Sequence, residues 1–206
     1  MSVNNCKLTF KVNINDFTNH ILCYILSNIV SNPLGITILY SNKFIIMKNI
    51  QEKINITELE VIKAQELWAQ NVIEIGNLYT KNEDYKSRAS VFIKQFYAFD
   101  VGEVLFKPTL ASENQFRYSY NDALSYFIGG HISEDKGFAL KPWKKINFAE
   151  RKIIILKELA LSMGNYFFQS VDGSDEIKVE FTFGYVKDKD NNLLINLHHS
   201  SIPYTN

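Results

Sequence analysis

The chain has 206 residues, which is enough for one domain or at most two small ones. Its 22 Lys and Arg residues balance 22 Asp and Glu residues, a charge balance that argues against a protein built to neutralise phosphates, so no nucleic-acid partner is expected. Hydrophobic residues make up 46% of the chain and aromatic residues 14%, which supplies a substantial core and excludes an intrinsically disordered protein.

The charges are distributed unevenly about Met47. Residues 1–46 carry only four charged residues, whereas residues 47–206 carry 19 basic and 21 acidic ones. We therefore expect an N-terminal extension over residues 1–46 and a single domain over residues 47–206. Both cysteines, Cys6 and Cys23, precede the domain, so the domain can hold no disulfide, thiolate zinc site or cysteine nucleophile.

Residues 17–42 of the extension contain no charged side chain and are numerous enough to span a bilayer. Asn28, Asn32 and Pro33 near the middle of the segment count against insertion. A signal peptide would need a small-residue cleavage site, and none follows. The favoured interpretation is that Met47 is the true start of a cytoplasmic protein. The alternative is export or membrane tethering through residues 1–46, with membrane contact only if residues 17–42 are retained and inserted.

Two amphipathic helices are predicted at the start of the domain. Thr57 and Glu60 have the spacing of a capping box. Apolar residues then recur every three or four positions, which predicts a helix over residues 57–79. The same periodicity predicts a second helix over residues 84–100.

The remainder of the chain is rich in β-forming residues. A short extended segment over residues 104–110 and a short helix over 121–127 are followed by predicted strands at 143–148, 153–169, Ile177–Lys187 and Leu193–Ser201. Polar turns at residues 172–175 and 188–192 join the last strands as hairpins, so we expect an antiparallel sheet. Helices followed by such strands predict the α+β class, with the helices laid across one face of a curved sheet.

The last strand carries the candidate catalytic groups. Because side chains alternate along a strand, Leu193, Ile195 and Leu197 share a face with His199 and Ser201. We therefore expect His199 and Ser201 to end an apolar strip inside the sheet, and His198 and Ser200 to point outwards or towards a partner subunit. A polar strand end that merely caps the sheet is the alternative interpretation.

No metal site is predicted. Adjacent histidines on a strand face opposite ways and cannot bind one ion, and only His20 and His131 remain elsewhere. The chain also lacks a GxGxxG loop, a P-loop, a nucleophile elbow and an HExxH pair, which argues against nucleotide-dependent enzymes, serine hydrolases and zinc proteases.

Six segments form a familiar set: residues 106–111 (FKPTLA), 115–117 (QFR), 123–130 (ALSYFIGG), 134–143 (EDKGFALKPW), 163–168 (MGNYFF) and 198–203 (HHSSIP). Together they resemble the iota-class carbonic anhydrases. This family belongs to the superfamily of the calcium/calmodulin-dependent kinase II association domain, which has the cone-shaped fold of nuclear transport factor 2.

The resemblance implies reversible hydration of carbon dioxide to bicarbonate in the cone cavity of a homodimer. It implies no metal cofactor or, alternatively, Mn or Zn. The catalytic set that it implies is Thr109, Tyr126, His199 and Ser201. The substrate-binding set is Phe106, Arg117, Tyr185, His198 and Ser200.

A metal-free site faces an energetic problem. Zinc lowers the pKa of bound water from 15.7 to about 7, which corresponds to about 12 kcal/mol, whereas a general base supplies only about 3 to 5 kcal/mol. We therefore expect a concerted reaction. In it, water held by Ser201 and Thr109 attacks carbon dioxide, the proton moves through His199, and Tyr126 donates to the developing bicarbonate oxygens.

Two other functions stay open on the residues alone. The first is a non-catalytic module of the same fold that oligomerises or binds a small ligand. The second is a steroid-isomerase-like enzyme. It would need a carboxylate in the pocket, for which Asp122 and Glu103 are the nearest candidates.

Overall fold

The computed structural model describes residues 55–174 and 176–205, together with Ile45. Apart from Ile45, the described residues belong to one compact unit. The interpretations of residues 1–46, namely the start at Met47, the uncharged segment 17–42 and the compartment, fall outside the described residues and stay predictions. In the part of the chain that is described, no helix combines the length and apolar character needed to cross a membrane.

The first helix, α1, covers Glu58–Thr80 and begins with the predicted capping box. The Thr57 hydroxyl accepts a hydrogen bond from the Glu60 N–H at 3.3 Å, and the Glu60 carboxylate accepts one from the Thr57 N–H at 2.7 Å. These two bonds satisfy N–H groups that a helix start otherwise leaves unpaired. The apolar face of α1 is buried along its length: Val61, Trp68, Ala69, Val72 and Ile75.

The second helix, α2, covers Tyr85–Phe96 and is capped by Asp84. It is shorter than predicted because Tyr97 takes an extended backbone (φ −113°, ψ 143°), after which Ala98–Asp100 form a 3₁₀ turn. The break places the buried Tyr97 against the sheet, where it forms an isolated bridge with Ile195. The third helix, α3, covers Tyr120–Ile128 and is capped by Ser119.

Five strands form one sheet in the order β1-β5-β4-β3-β2. They are β1 (Leu105–Lys107), β2 (Trp143–Leu156), β3 (Leu159–Ser170), β4 (Ile177–Lys187) and β5 (Leu193–Ser201). The pairs β2–β3, β3–β4 and β4–β5 are antiparallel, as predicted, whereas the short edge strand β1 pairs with β5 in parallel. The predicted α+β class, with helices on a curved sheet, is confirmed.

One predicted strand is in fact a hairpin. The segment over residues 153–169 is interrupted by a two-residue turn at Lys157 and Glu158, so its first part belongs to β2 and the rest to β3. Lys157 adopts a left-handed conformation (φ 53°). Two-residue hairpin turns are usually recognised in a sequence by Gly, Asn or Asp. The turn at Lys157 and Glu158 contains none of these residues, so the sequence did not indicate it.

The core lies between α1 and the inner face of the sheet. Trp68 of α1 contacts aromatic rings from the other helices and from β2, β3, β4 and β5: Phe92, Phe127, Phe148, Tyr166, Phe183 and His198. On β4 the inner face carries Val179, Phe181, Phe183 and Tyr185, as alternation predicts. The inner face is therefore an aromatic cup, and any polar side chain that points into it is desolvated.

Candidate active site

A cavity of about 460 Å³ lies over the inner face of the sheet, next to α3. Its walls are largely apolar, with polar side chains from the segment after β1, from α3 and from the loop after α3. The lining includes Thr109, Tyr126, Glu134, Asp135, Phe138, Trp143, Phe168 and Val179. A cavity with such walls suits a small ligand with little polar surface.

Two hydroxyl groups, those of Thr109 and Tyr126, line this cavity, and those of Tyr166 and Ser200 are joined to Thr109 by the hydrogen bonds of Tyr166. Thr109 follows β1, Tyr126 lies on α3, Tyr166 on β3 and Ser200 on β5. The pKa of Tyr166 is raised by burial, while hydrogen bonding from Ser200 and then Thr109 lowers it in part. The pKa of Tyr126 is raised chiefly by burial, and its phenolic oxygen is a partner of the Leu110 backbone. Both tyrosines therefore stay protonated and can donate hydrogen bonds.

His198 is a buried histidine on the inner face of β5, with 2% of its surface exposed. Its ring stacks on Phe106, with the ring centres 4.7 Å apart, and lies 4.3 Å from Phe183. Its Nδ1 atom is 2.8 Å from the Tyr97 hydroxyl, whereas Nε2 is buried with no hydrogen-bond partner. Burial, and to a smaller extent the neighbouring His199, lowers the pKa of His198 well below its ordinary value, so the ring is neutral.

The predicted orientation of the last strand is wrong. His199 is exposed, and the Ser201 hydroxyl donates to Glu180 Oε2 at 2.9 Å on the outer face, whereas His198 and Ser200 are buried inside. As a result, His199 and Ser201 point away from the inner face on which their catalytic roles were expected, and His198 and Ser200 take the inward positions.

A β-bulge causes the reversal. Tyr185 pairs with Ile195 and Gly184 with Leu197, so Asn196 is an extra residue on β5 and alternation resumes one position out of step. Gly184 permits the bulge, because a Cβ atom there would lie 2.8 Å from Asn196 Oδ1 and 2.9 Å from Leu197 Cβ. A glycine inside a strand is the sequence signal that would have indicated the bulge.

Arg117 is buried in an ion pair and does not line the cavity. Its Nη2 atom is 2.7 Å from Asp135 Oδ1 and 3.4 Å from Glu134 Oε1, and its Nη1 donates to the Asn114 carbonyl. Backbone N–H groups, starting with that of Ser112, hold the pKa of Glu134 at about 2. Arg117, predicted to bind substrate, therefore fixes the two acidic residues in the cavity wall.

The other predicted positions are also placed by the structure. Phe106 is buried against His198, while Tyr185 points into the core beside Gln65 and does not line the cavity. Asp122 caps α3 and binds His131, and Glu103 is exposed, so neither supplies the pocket carboxylate that an isomerase would need. The two carboxylates that do line the cavity, those of Glu134 and Asp135, are paired with Arg117.

Nothing in the described residues is arranged to bind a metal: no three side chains of His, Cys, Asp or Glu converge there. The site consists instead of hydroxyl groups and one neutral imidazole. Sequence reasoning missed Tyr166 and Tyr97. Tyr166 could have been found because it precedes Phe168 by two residues on an alternating strand. Tyr97 carried no signal, because its position depends on the break after α2.

Three comparisons place the chain among known proteins. The sequence profile described as metal-independent carbonic anhydrase matches residues 59–202. A metal-independent carbonic anhydrase from Nostoc sp. is 38% identical over 154 residues, which cover 72% of this chain and 75% of that protein.

A solved iota-carbonic anhydrase from a cyanobacterium, in complex with bicarbonate, superposes with a TM-score of 0.70 and 36% identity, covering 74% of this chain and 95% of that one. A putative dehydratase of the NTF2-like family from Streptomyces avermitilis matches at a TM-score of 0.48 and 13% identity, over 71% of this chain and 95% of that one. The profile match covers most of the chain and agrees with the curated relative. The chain belongs to the metal-independent carbonic anhydrase family.

Proposed function

We propose that the chain catalyses the reversible hydration of carbon dioxide to bicarbonate, without a bound metal, in the cavity that Thr109 and Tyr126 line and to which Tyr166 and Ser200 are joined by hydrogen bonds. The observation that carries this proposal is a largely apolar cavity lined by Thr109 and Tyr126, next to which the hydrogen-bonded Tyr166 and Ser200 and the neutral His198 are buried in the aromatic cup. The family supports the reaction, and the bicarbonate held by the related cyanobacterial protein supports the substrate.

The apolar walls bind carbon dioxide, and the hydroxyls hold the attacking water. Carbon dioxide has no net charge or dipole, so Phe138, Trp143 and Phe168 offer it a dry surface without competing for hydrogen bonds. Water needs donors and acceptors, and a hydroxyl is both. The hydroxyls of Ser200 and Thr109, both hydrogen-bond partners of Tyr166, therefore form the water position.

The hydroxyls also provide a path for the proton that the attacking water must lose. Forming free hydroxide without a metal would mean replacing the roughly 12 kcal/mol that zinc supplies, whereas a general base supplies only about 3 to 5 kcal/mol. In a concerted reaction the water oxygen bonds to carbon while its proton passes to the Ser200 hydroxyl, which releases its own proton to an oxygen of carbon dioxide. One C=O bond becomes C–OH, the product is carbonic acid, and its ionisation releases bicarbonate and a proton to water.

Protonated donors stabilise the charge that develops on the substrate oxygens. Tyr126 and Tyr166 remain protonated because burial raises the pKa of each. His198 remains neutral, and its Nε2 atom is free to bond. Donors of this kind, fixed before the reaction and shielded from water, are each worth about 10² to 10³ in kcat.

We also propose the homodimer. The outer face next to β1 carries exposed Leu105, Phe116 and Tyr118 beside Leu197 and His199, an apolar surface that a second copy would cover. Sedimentation equilibrium at micromolar concentration tests this, and a monomer would contradict it.

The experiment for the reaction is stopped-flow hydration of carbon dioxide with a pH indicator, before and after exhaustive chelation, with metal content measured by mass spectrometry. We expect the same rate in both samples and less than one metal ion per ten chains. No hydration in either sample would contradict the enzyme and favour a ligand-binding module. Loss on chelation with recovery on Zn²⁺ or Mn²⁺ would contradict the metal-free reaction.

A further inference from the structure

Trp68, Tyr97 and His198 form a hydrogen-bonded chain behind the cavity. The Trp68 indole Nε1–H donates to the Tyr97 hydroxyl oxygen at 3.1 Å, and that oxygen lies 2.8 Å from His198 Nδ1. The three side chains are 1%, 1% and 2% exposed, so water does not compete for these bonds. They come from α1, from the break after α2, and from β5.

Donor chemistry fixes the direction of the chain. An indole nitrogen can only donate, so the Tyr97 oxygen accepts from Trp68. The Tyr97 hydroxyl proton then needs an acceptor of its own, and the Tyr97 ring packs against the apolar rings of Phe92, Phe106 and Phe127. The His198 Nδ1 lone pair is the partner that the structure gives it.

The direction of the chain determines the tautomer of His198. If Tyr97 donates to Nδ1, the imidazole proton sits on Nε2. The opposite tautomer would place an N–H at Nδ1 against the same oxygen and leave the Tyr97 proton unpaired in an apolar environment. An unpaired buried donor shifts such an equilibrium by roughly ten- to a hundredfold.

We propose that Trp68 and Tyr97 are positioning residues that hold His198 as a neutral Nε2–H donor, and that this donor, rather than a general base, is what the histidine contributes to hydration. The proposal rests on the proposed function for its catalytic part. Among the described residues Nε2 has no hydrogen-bond partner, so it is the ring nitrogen whose proton remains to be donated. The stacked Phe106 and the close Phe183 hold the ring plane in that orientation.

A general base at this position would require the reverse arrangement. To accept the proton of the attacking water, Nε2 would have to carry a lone pair and Nδ1 a proton. The Trp68–Tyr97 chain disfavours that form. The histidine therefore polarises a substrate oxygen by donating to it, and the proton of the water takes the hydroxyl path described above.

The test is the protonation state of the ring nitrogens, read from their ¹⁵N chemical shifts in the full chain labelled with ¹⁵N-histidine. The His198→Gln spectrum assigns the signals. We expect His198 to carry its proton on Nε2, and a proton on Nδ1 in the unchanged chain would overturn the proposal. This readout needs no turnover, so it stands whether or not the chain hydrates carbon dioxide.

The variant Tyr97→Phe removes the hydroxyl and keeps the ring. We expect the two tautomers of His198 to become mixed and kcat to fall roughly tenfold or more with little change in KM. The matched control is Tyr120→Phe, which loses a hydroxyl bonded to Ser90 at 2.8 Å elsewhere in the fold and should change neither measurement. An unchanged tautomer in Tyr97→Phe, or a mixed tautomer with full kcat, would overturn the proposal. Should Tyr97→Phe not fold, the spectrum of the unchanged chain still decides.

Discussion

Adjacent serines on β5 offer a matched test of the site, because the same substitution is made at neighbouring positions that face opposite sides of the sheet. Ser200 is 3% exposed and its hydroxyl meets Tyr166, whereas the Ser201 hydroxyl donates to Glu180 on the outer face. Ser200→Ala removes a proton relay and a water partner from the cavity. Ser201→Ala removes one surface hydrogen bond.

The magnitude follows from what each hydroxyl contacts. One fixed donor in a shielded site is worth about 10² to 10³ in kcat, and we expect the lower end for Ser200→Ala because Tyr166 keeps Thr109 as a neighbour. The free energy of unfolding should change by about 1 kcal/mol or less, since no buried group loses every partner. For Ser201→Ala we expect a rate within about twofold of the unchanged chain.

Stopped-flow hydration of carbon dioxide measures both variants, and thermal unfolding shows that they are folded. A Ser200→Ala variant with the full rate, or a Ser201→Ala variant that loses the rate, would refute the inward placement of Ser200 and with it the reversal caused by the bulge.

Three other predictions use the same protein. His198→Gln should lower kcat by about tenfold to a hundredfold and His199→Gln by no more than about twofold, and equal losses would contradict the inward placement of His198. The rate of hydration should not change with pH from about 6.5 to 9, because the pKa of His198 lies well below its usual value and the pKa values of Tyr126 and Tyr166 lie above 10. A sigmoidal rise in rate near pH 7 would instead indicate a metal-bound water or a titrating base. The pKa of Glu134, about 2 against an ordinary 4.5, means that its contribution to stability is complete above about pH 4.5 and is lost as the pH falls towards 2. Glu134→Gln should therefore lower Tm at pH 7 and flatten its pH dependence below 4.5, and an unchanged Tm at pH 7 would contradict the role of Glu134 in its loop.

Local sequence patterns correctly predicted those helices and strands that are determined by residues close together in the sequence. The capping box of Thr57 and Glu60 and the periodicity after it give α1 within a residue of its observed ends. The alternation along Ile177–Lys187 gives the inner face of β4 correctly, because the strand is regular along that face. In both cases the residues that decide the structure are a few positions apart.

The orientation of β5 could not be obtained from alternation alone. Alternation assumes an unbroken strand, and the extra residue Asn196 reverses it from there onwards. The indication lay on a different strand, where Gly184 leaves room for the bulge. Gly184 predicts the bulge in β5 only when it is known that β4 pairs with β5 and in which register, and the sequence alone does not give that pairing.

The buried hydrogen bonds between polar side chains could not be predicted from the sequence for a related reason. His198 meets Tyr97 across 101 positions and Gln65 meets Ser162 across 97, so these contacts exist only once the chain is folded. Thr109 and Tyr126 were correctly expected in the cavity lining, on the strength of the family resemblance. Their catalytic roles stay predictions.

The location of bound bicarbonate tests the central claim most directly. A crystal structure of the full chain soaked with bicarbonate should show the anion inside the cup, its oxygens within hydrogen-bond distance of the Ser200 and Tyr166 hydroxyls and of His198 Nε2. Bicarbonate bound at the outer face, beside His199 and Ser201, with the cup empty, would contradict the account.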